Sequence, residues 1–330
     1  MKRRQFPALR VSGHQRVRGF SLVELMTAML LSLLLIAAAV SVLLSNKRTY
    51  SSTEGLGHIQ ENARIAFELM SRDIREAGGN PCDVRMKMVN VLADTTNWWA
   101  TFNGTTNTGI FGYDDGGFPG SATGTDAIQV QFFEDTGLVT SAGMGGTTGA
   151  LAVEDIDMIE TRQILMACGF FPSSAGPVTD SAAIFSAGKS GSTIIHDVAS
   201  GNASANFSNA ANPTAVVFPS NILLGRLRAM EWYVAVNSQG RNSLYRRQLS
   251  YPGTAPVMGA PEEVVNDVIG LKLTYLEGTT WTAALPTSWP AVTAVQVELE
   301  LEASDNREGG VEGAMIRRKL THVIAMRNKL

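Results

Sequence analysis

One carboxylate, Glu24, stands at the mouth of an apolar run, and from Leu25 to Ser45 no charged residue follows it. An acid at the centre of a membrane-length apolar helix costs on the order of 2–3 kcal/mol, and less toward an end. Such a residue is a functional candidate by default, and the chemistry open to it is charge pairing with a cation. Directly before it lies Arg18-Gly19-Phe20-Ser21-Leu22-Val23, where a basic leader ends in glycine. That junction is a candidate processing point. Gly19, Phe20 and Glu24 therefore form the first candidate site.

Elsewhere, fragments of catalytic motifs are incomplete. Gly188-Lys189-Ser190 has the ending of a phosphate-binding loop, but the glycine needed five residues earlier is Ala183, and no glycine-rich run leads from a strand into a helix. Ser186-Ala187-Gly188-Lys189 and Ser304-Asp305-Asn306 match two pieces of the acyl-enzyme pattern of penicillin-binding enzymes, yet glycines flank the first and no Lys-Thr-Gly follows in order. His14, His58, His196 and His322 are scattered, and neither H-E-x-x-H nor C-x-x-C occurs. Asp114-Asp115-Gly116 and the pair Asp155 and Asp157 offer oxygen ligands to calcium, although such acids are more often solvated turns. Trp98-Trp99 and Phe170-Phe171 read as core in preference to interface anchors. No catalytic residue, metal or cofactor is expected.

The charge distribution places these residues relative to a membrane. The leader carries Lys2, Arg3, Arg4, Arg10, Arg16 and Arg18 and no acid, so the net charge of −3 conceals a basic leader and an acidic body. An acidic body argues against direct nucleic-acid binding. Positive charge ahead of an apolar span predicts a cytoplasmic N-terminus. About 20 apolar residues cross a bilayer, and no second run of that length appears. The chain thus reads as single-pass, with one large domain across the membrane. There, Cys82 and Cys168 are expected to form one bridge, the other reading being two buried thiols.

Three processing signals compete. A secretory signal would cut near Ala37-Ala38-Ala39, but needs an unusually long basic region and tolerates Glu24 poorly. Arg3-Arg4-Gln5-Phe6 has the look of a twin-arginine signal, but Pro7 follows and the apolar run starts far downstream. The third is cleavage between Gly19 and Phe20, which leaves the apolar run on the mature chain. Gly19-Phe20-Ser21-Leu22-Val23-Glu24-Leu25 resembles the type III signal of type IV pilins and pseudopilins. The resemblance implies that a prepilin peptidase cuts after Gly19 on the cytoplasmic side and N-methylates Phe20. It also implies that Glu24 meets the terminal amine of a neighbouring subunit in a filament. A paired carboxylate in an apolar bundle is tolerable and an unpaired one is costly, so Glu24 would sense docking.

Behind the signal, no proline interrupts the chain between Pro7 and Pro81, so one helix can run from the apolar span toward Ala77. In its second half Ile59, Ala63, Ala66, Phe67, Met70, Ile74 and Ala77 recur at steps of three and four. Glu61, Arg64, Glu68, Arg72, Asp73, Arg75 and Glu76 are expected on the other faces. Ser51-Ser52-Thr53-Glu54-Gly55-Leu56-Gly57 predicts a bend or frayed turn, because its residues cost roughly 2–3 kcal/mol against alanine. Gly78-Gly79-Asn80-Pro81 is a stop signal.

The remainder reads as strands. Residues 82–125 are expected to be irregular apart from a turn at Trp98-Trp99, residues 126–134 alternate as a strand, and 137–150 form a mobile glycine-rich loop. Further strands are expected over 157–171 and 182–198, separated by 172–180, with a small-residue loop over 202–213. Residues 227–236 and 243–249 form a hairpin, and 264–276, 292–303 and 316–327 are three more strands. The expected fold is α+β: a long helix packed on an antiparallel sheet domain. Its parts are a leader (1–19), a membrane or filament-core half-helix (20–45), an amphipathic half-helix (46–80) and a periplasmic β-rich domain (81–330).

Trp232-Tyr233-Val234, Asn266-Asp267-Val268-Ile269-Gly270-Leu271 and Ala325-Met326-Arg327-Asn328 add a similarity to PilW-type minor pilins. That resemblance implies a tip or priming complex of a type IV pilus, supporting twitching motility, attachment or DNA uptake. The implied partners are the prepilin peptidase, other minor pilins, the major pilin and an inner-membrane assembly platform, with the chain passing from the inner membrane into the pilus fibre. The alternatives are a J-like pseudopilin of type II secretion and a membrane-tethered adhesin or enzyme that never polymerises. The mature length of about 311 residues, large for one domain, favours the minor pilin.

Overall fold

The computed structural model describes residues 19–82, 87–169, 181–209, 215–303 and 315–329. Helix α1, Leu22–Glu76, is one unbroken element of 55 residues, about 83 Å long. Its stop falls where the sequence places it: Gly78 takes a left-handed φ of 71°, and Gly79 N–H donates to Glu76 O. The expected bend at 51–57 is absent. Gly55 is buried, so the missing side chain admits the body to the helix, and Thr49 and Thr53 hydroxyls donate to the carbonyls of Ser45 and Thr49. Packing has overridden weak propensity.

Twelve strands form one large sheet. In chain order they are β1 Lys87–Asn90, β2 Ile110–Tyr113, β3 Ala127–Ala142, β4 Leu151–Val153, β5 Ile164–Gly169, β6 Ser181–Ser186, β7 Gly188–Ser190, β8 Thr193–Ile195, β9 Leu223–Val236, β10 Asn242–Ser250, β11 Val257–Met258 and β12 Glu262–Asn266. The path β1-β6-β5-β9-β3-β4-β8-β7 is antiparallel except for β1 beside β6; β10 adds to β9 and carries β11 and β12. Four further strands, β13 Val268–Glu277, β14 Thr280–Thr282, β15 Val292–Glu302 and β16 Arg317–Ala325, form a second antiparallel sheet in the order β14-β13-β15-β16. The fold is α+β, as the sequence implies.

Several local expectations are corrected. The single strand over 264–276 is two strands in different sheets. Asp267, at φ 60°, turns the chain between them and is salt-bridged to Arg241. The loop expected over 137–150 begins as strand, because Leu138 and Thr140 are buried. Gly137, at φ 72°, lies where the β3–β9 register slips between Asp135 and Leu138. Residues 82–125 hold β1 and β2 as well as the 3-10 turn Trp98–Ala100. The strand expected over 182–198 is three strands, and the one over 157–171 is reduced to β5 in the described residues. Phe170-Phe171, residues 172–180, 210–213 and Ser304-Asp305-Asn306 lie outside the described residues, as does the leader through Arg18.

One core joins α1, the small sheet and the nearer part of the large sheet, through Ile59, Ala63, Ala66, Met70 and Ile74 against residues such as Trp232 and Val295. Fully burying side chains such as Met70 and Ile74 is worth about 1.5–3 kcal/mol each. Among the further cores, those around Phe185 and Phe207 and around Phe102 and Cys168 lie on opposite faces of the large sheet, since β5 and β6 give Leu165 and Phe185 to the first and Met166 and Ile184 to the second. Cys82 and Cys168 are disulfide-bonded with Cα atoms 5.4 Å apart. The bond ties the segment leaving α1 to β5, beside β9.

Candidate functional site

The processing segment lies at the free end of α1. Gly19 and Phe20 are outside regular structure and exposed, Ser21 is the extended N-cap, and the first turn closes with Leu25 N–H donating to Ser21 O at 3.1 Å. Nothing lies within 4 Å of where a Gly19 Cβ would be, so no packing within the described residues requires glycine there. Phe20 is 83% exposed. Glu24 occupies the first turn, where the positive end of the helix dipole favours a carboxylate by about 0.3–1 kcal/mol. No side chain among the described residues pairs with it.

Beyond Glu24 the apolar half of α1 is bare. Every residue from Leu25 to Leu44 is exposed. It is the one helix among the described residues long and apolar enough to cross a bilayer. Its few polar side chains are satisfied within the helix: Thr27, Ser32 and Ser41 hydroxyls donate to the carbonyls of Glu24, Met29 and Ala38 at 2.8–3.0 Å. That internal pairing suits a medium without water. The arrangement can bind membrane or other apolar helices.

The second half of α1 is docked, and here the structure corrects the sequence. Asp73, expected on a solvent face, is buried in the seam. Its Oδ2 accepts the Trp232 indole N–H at 2.9 Å, and its Oδ1 accepts Arg246 Nη2 at 3.2 Å. Trp232 and Arg246 are cross-strand partners on β9 and β10, with the guanidinium 5.5 Å above the indole. Burial raises the Asp73 pKa above its ordinary value, with Arg246 opposing. On the neighbouring positions of the same strands, buried Glu231 accepts Trp98 Nε1 at 2.9 Å, Gln129 at 3.0 Å and Arg247 at 3.2 Å. The indole N–H groups are the signal that finds these acids, since a buried indole needs an acceptor.

The remaining candidates are structural. Asp126, buried just before β3, accepts Leu273 N–H at 2.8 Å and Lys272 Nζ at 3.0 Å, and Lys272 also bonds Asp115, linking the two sheets. Asp155 accepts Asp157 N–H in a turn. Lys189 lies in the short β7–β8 hairpin, with no helix following. His58 and His322 are exposed, while His196 is buried against Phe207 with Nε2 2.8 Å from Gly149 O. No group of three or more His, Cys, Asp or Glu side chains among the described residues is arranged to hold a metal ion. Trp99 is core, and Trp98 is half-buried on Glu231.

Residues 14–40 match the prokaryotic N-terminal methylation motif. The motif covers the leader end, Gly19, Phe20, Glu24 and most of the bare apolar half. The chain therefore carries a prokaryotic methylation motif on the one helix among the described residues long and apolar enough to cross a membrane, ahead of a strand-rich body. Among solved structures, a type IV-like pilin from Thermus thermophilus is similar at 14% identity, over 50% of this chain and 84% of that one, with a TM-score of 0.22. No curated protein matches the chain.

Proposed function

We propose that this protein is a minor pilin of a type IV pilus. It is made as an inner-membrane precursor with its N-terminus in the cytoplasm and its body in the periplasm. A prepilin peptidase cuts between Gly19 and Phe20 and methylates Phe20. The observation that carries this reading is the coincidence of the methylation motif with a helix whose first half is wholly exposed and apolar and whose second half is docked. Extracted from the membrane into a filament, the bare half would pack against the same half of other subunits. Glu24 would pair with the terminal amine of a neighbour, which converts a costly lone charge into a satisfied one.

In this reading the work is packing and templating, without catalysis. The chain joins other minor pilins at the tip, primes polymerisation of the major pilin on the inner-membrane platform, and supports twitching, attachment or DNA uptake. The large body favours a tip position, because it exceeds what a repeating shaft subunit needs to cover its own helix. N-terminal sequencing and mass analysis of the mature protein test the reading. A start at methylated Phe20 supports it; a start at Met1 or Val40 overturns it. A deletion strain that loses pili while exporting proteins normally separates this role from that of a secretion pseudopilin.

A further inference from the structure

We propose that Asp73 is a positioning residue that sets the rotation of α1 against the body, and through the rigid helix the direction in which Glu24 faces. The rest of the buried seam is Gly55, Ile59, Ala63, Ala66, Met70, Ser71 and Ile74; all but Ser71 are apolar with non-directional contacts, and the buried Ser71 Oγ makes no hydrogen bond among the described residues. Other polar links from α1 lie at exposed or terminal places, Asn62 to Asn266 and Glu76 to Arg327 and Asn328 among them. Asp73 makes buried, directional bonds to two donors on two adjacent strands. A roll of α1 by one position would leave its carboxylate in apolar surroundings and strand the Trp232 N–H, both strongly disfavoured.

The energetics fit a role in orientation. Burial raises the Asp73 pKa, so the folded state holds its proton more tightly than the unfolded chain. From its ordinary 3.8 up to the raised folded value, stability therefore falls as pH rises. A buried ion pair of this kind is weak for stability and strong for selecting one arrangement. Because α1 is unbroken, the choice is transmitted about 74 Å to Glu24.

The test is spin-label distance measurement on the full chain in lipid nanodiscs, with labels at Arg64→Cys and Thr321→Cys; both native cysteines are in the disulfide and take no label. Asp73→Asn, which keeps an acceptor for Trp232, is expected to retain the single narrow distribution of the parent. Asp73→Leu is expected to broaden or split it. A narrow distribution for Asp73→Leu overturns the proposal. Formation of the Cys82–Cys168 bond reports whether the body has folded; if Asp73→Leu fails there, Trp232→Phe with Arg246→Met asks the same question from the sheet side, and an unchanged distribution overturns it equally. The consequence for Glu24 rests on the filament reading. Asp73→Leu with split distances but normal pilus incorporation would overturn that consequence, whereas normal incorporation of Glu24→Ala would overturn the filament reading and leave the label result standing.

Discussion

Residues 22–45 and 55–76 belong to one helix with one backbone geometry, yet they are built for different solvents. The first stretch is leucine-rich all round and buries nothing in the folded chain. The second gathers most of its apolar residues, Ile65 excepted, in one seam and surrounds them with Arg64, Glu68, Arg72 and Arg75. The first half leaves its partner to be found outside the molecule, in lipid or in other helices. The second finds its partner within the chain and includes a buried acid with its donors. Both halves carry one conspicuous carboxylate: Asp73 is paired by the fold, and Glu24 has no side-chain partner among the described residues.

Substitutions break this contrast at different strengths. Gly19→Leu is expected to abolish cleavage, read as the precursor mass, with body stability unchanged because nothing packs where the side chain would go. Loss of the disulfide by Cys82→Ser with Cys168→Ser is expected to lower stability by roughly 4 kcal/mol in urea titrations, given the 86-residue separation. Ile74→Ala, in the docked seam, should cost about 2–5 kcal/mol in the same assay, whereas Leu34→Ala in the bare half should leave the body's unfolding midpoint in place. Equal effects of the two would erase the distinction between the halves.

Two smaller effects sharpen it. Burial pushes the His196 pKa below its ordinary 6.5, so the unfolded chain binds the proton first and stability falls as pH drops through 6.5 toward the folded value. Thermal melts at pH 7.5 and 5.5 should show a drop in stability that His196→Gln lacks. This loosening belongs to the large sheet, remote from the seam, so the distances from α1 should not change with it. Gly57→Ala should stabilise by about 1 kcal/mol, because Gly57 is exposed in an unbroken helix and its Cβ would meet nothing within 4 Å.

The processing segment was legible because its information is local: leader, Gly19, Phe20, Glu24 and the apolar run are contiguous, and a bilayer recognises them by length and hydropathy alone. The helix seam was legible from its spacing, and Gly78 marked the stop. The two-sheet arrangement was not, since residues 264–276 read as one strand, whereas the left-handed turn at Asp267 moves the chain from one sheet to the other.

Helical periodicity could not separate Asp73 from Arg72 and Arg75, because a charged residue beside a seam reads as solvated. Its burial depends on Trp232 and Arg246, far away in sequence and joined only when β9 and β10 pair. The amino-acid order by itself showed the methylation motif, the apolar span that can enter a membrane, and one long helix leading into a strand-rich body. Tertiary structure alone decided how that body divides into two sheets and which acid faces into the seam. Local pattern sets solvent preference, but the pairing of a buried charge requires donors that only folding brings within reach.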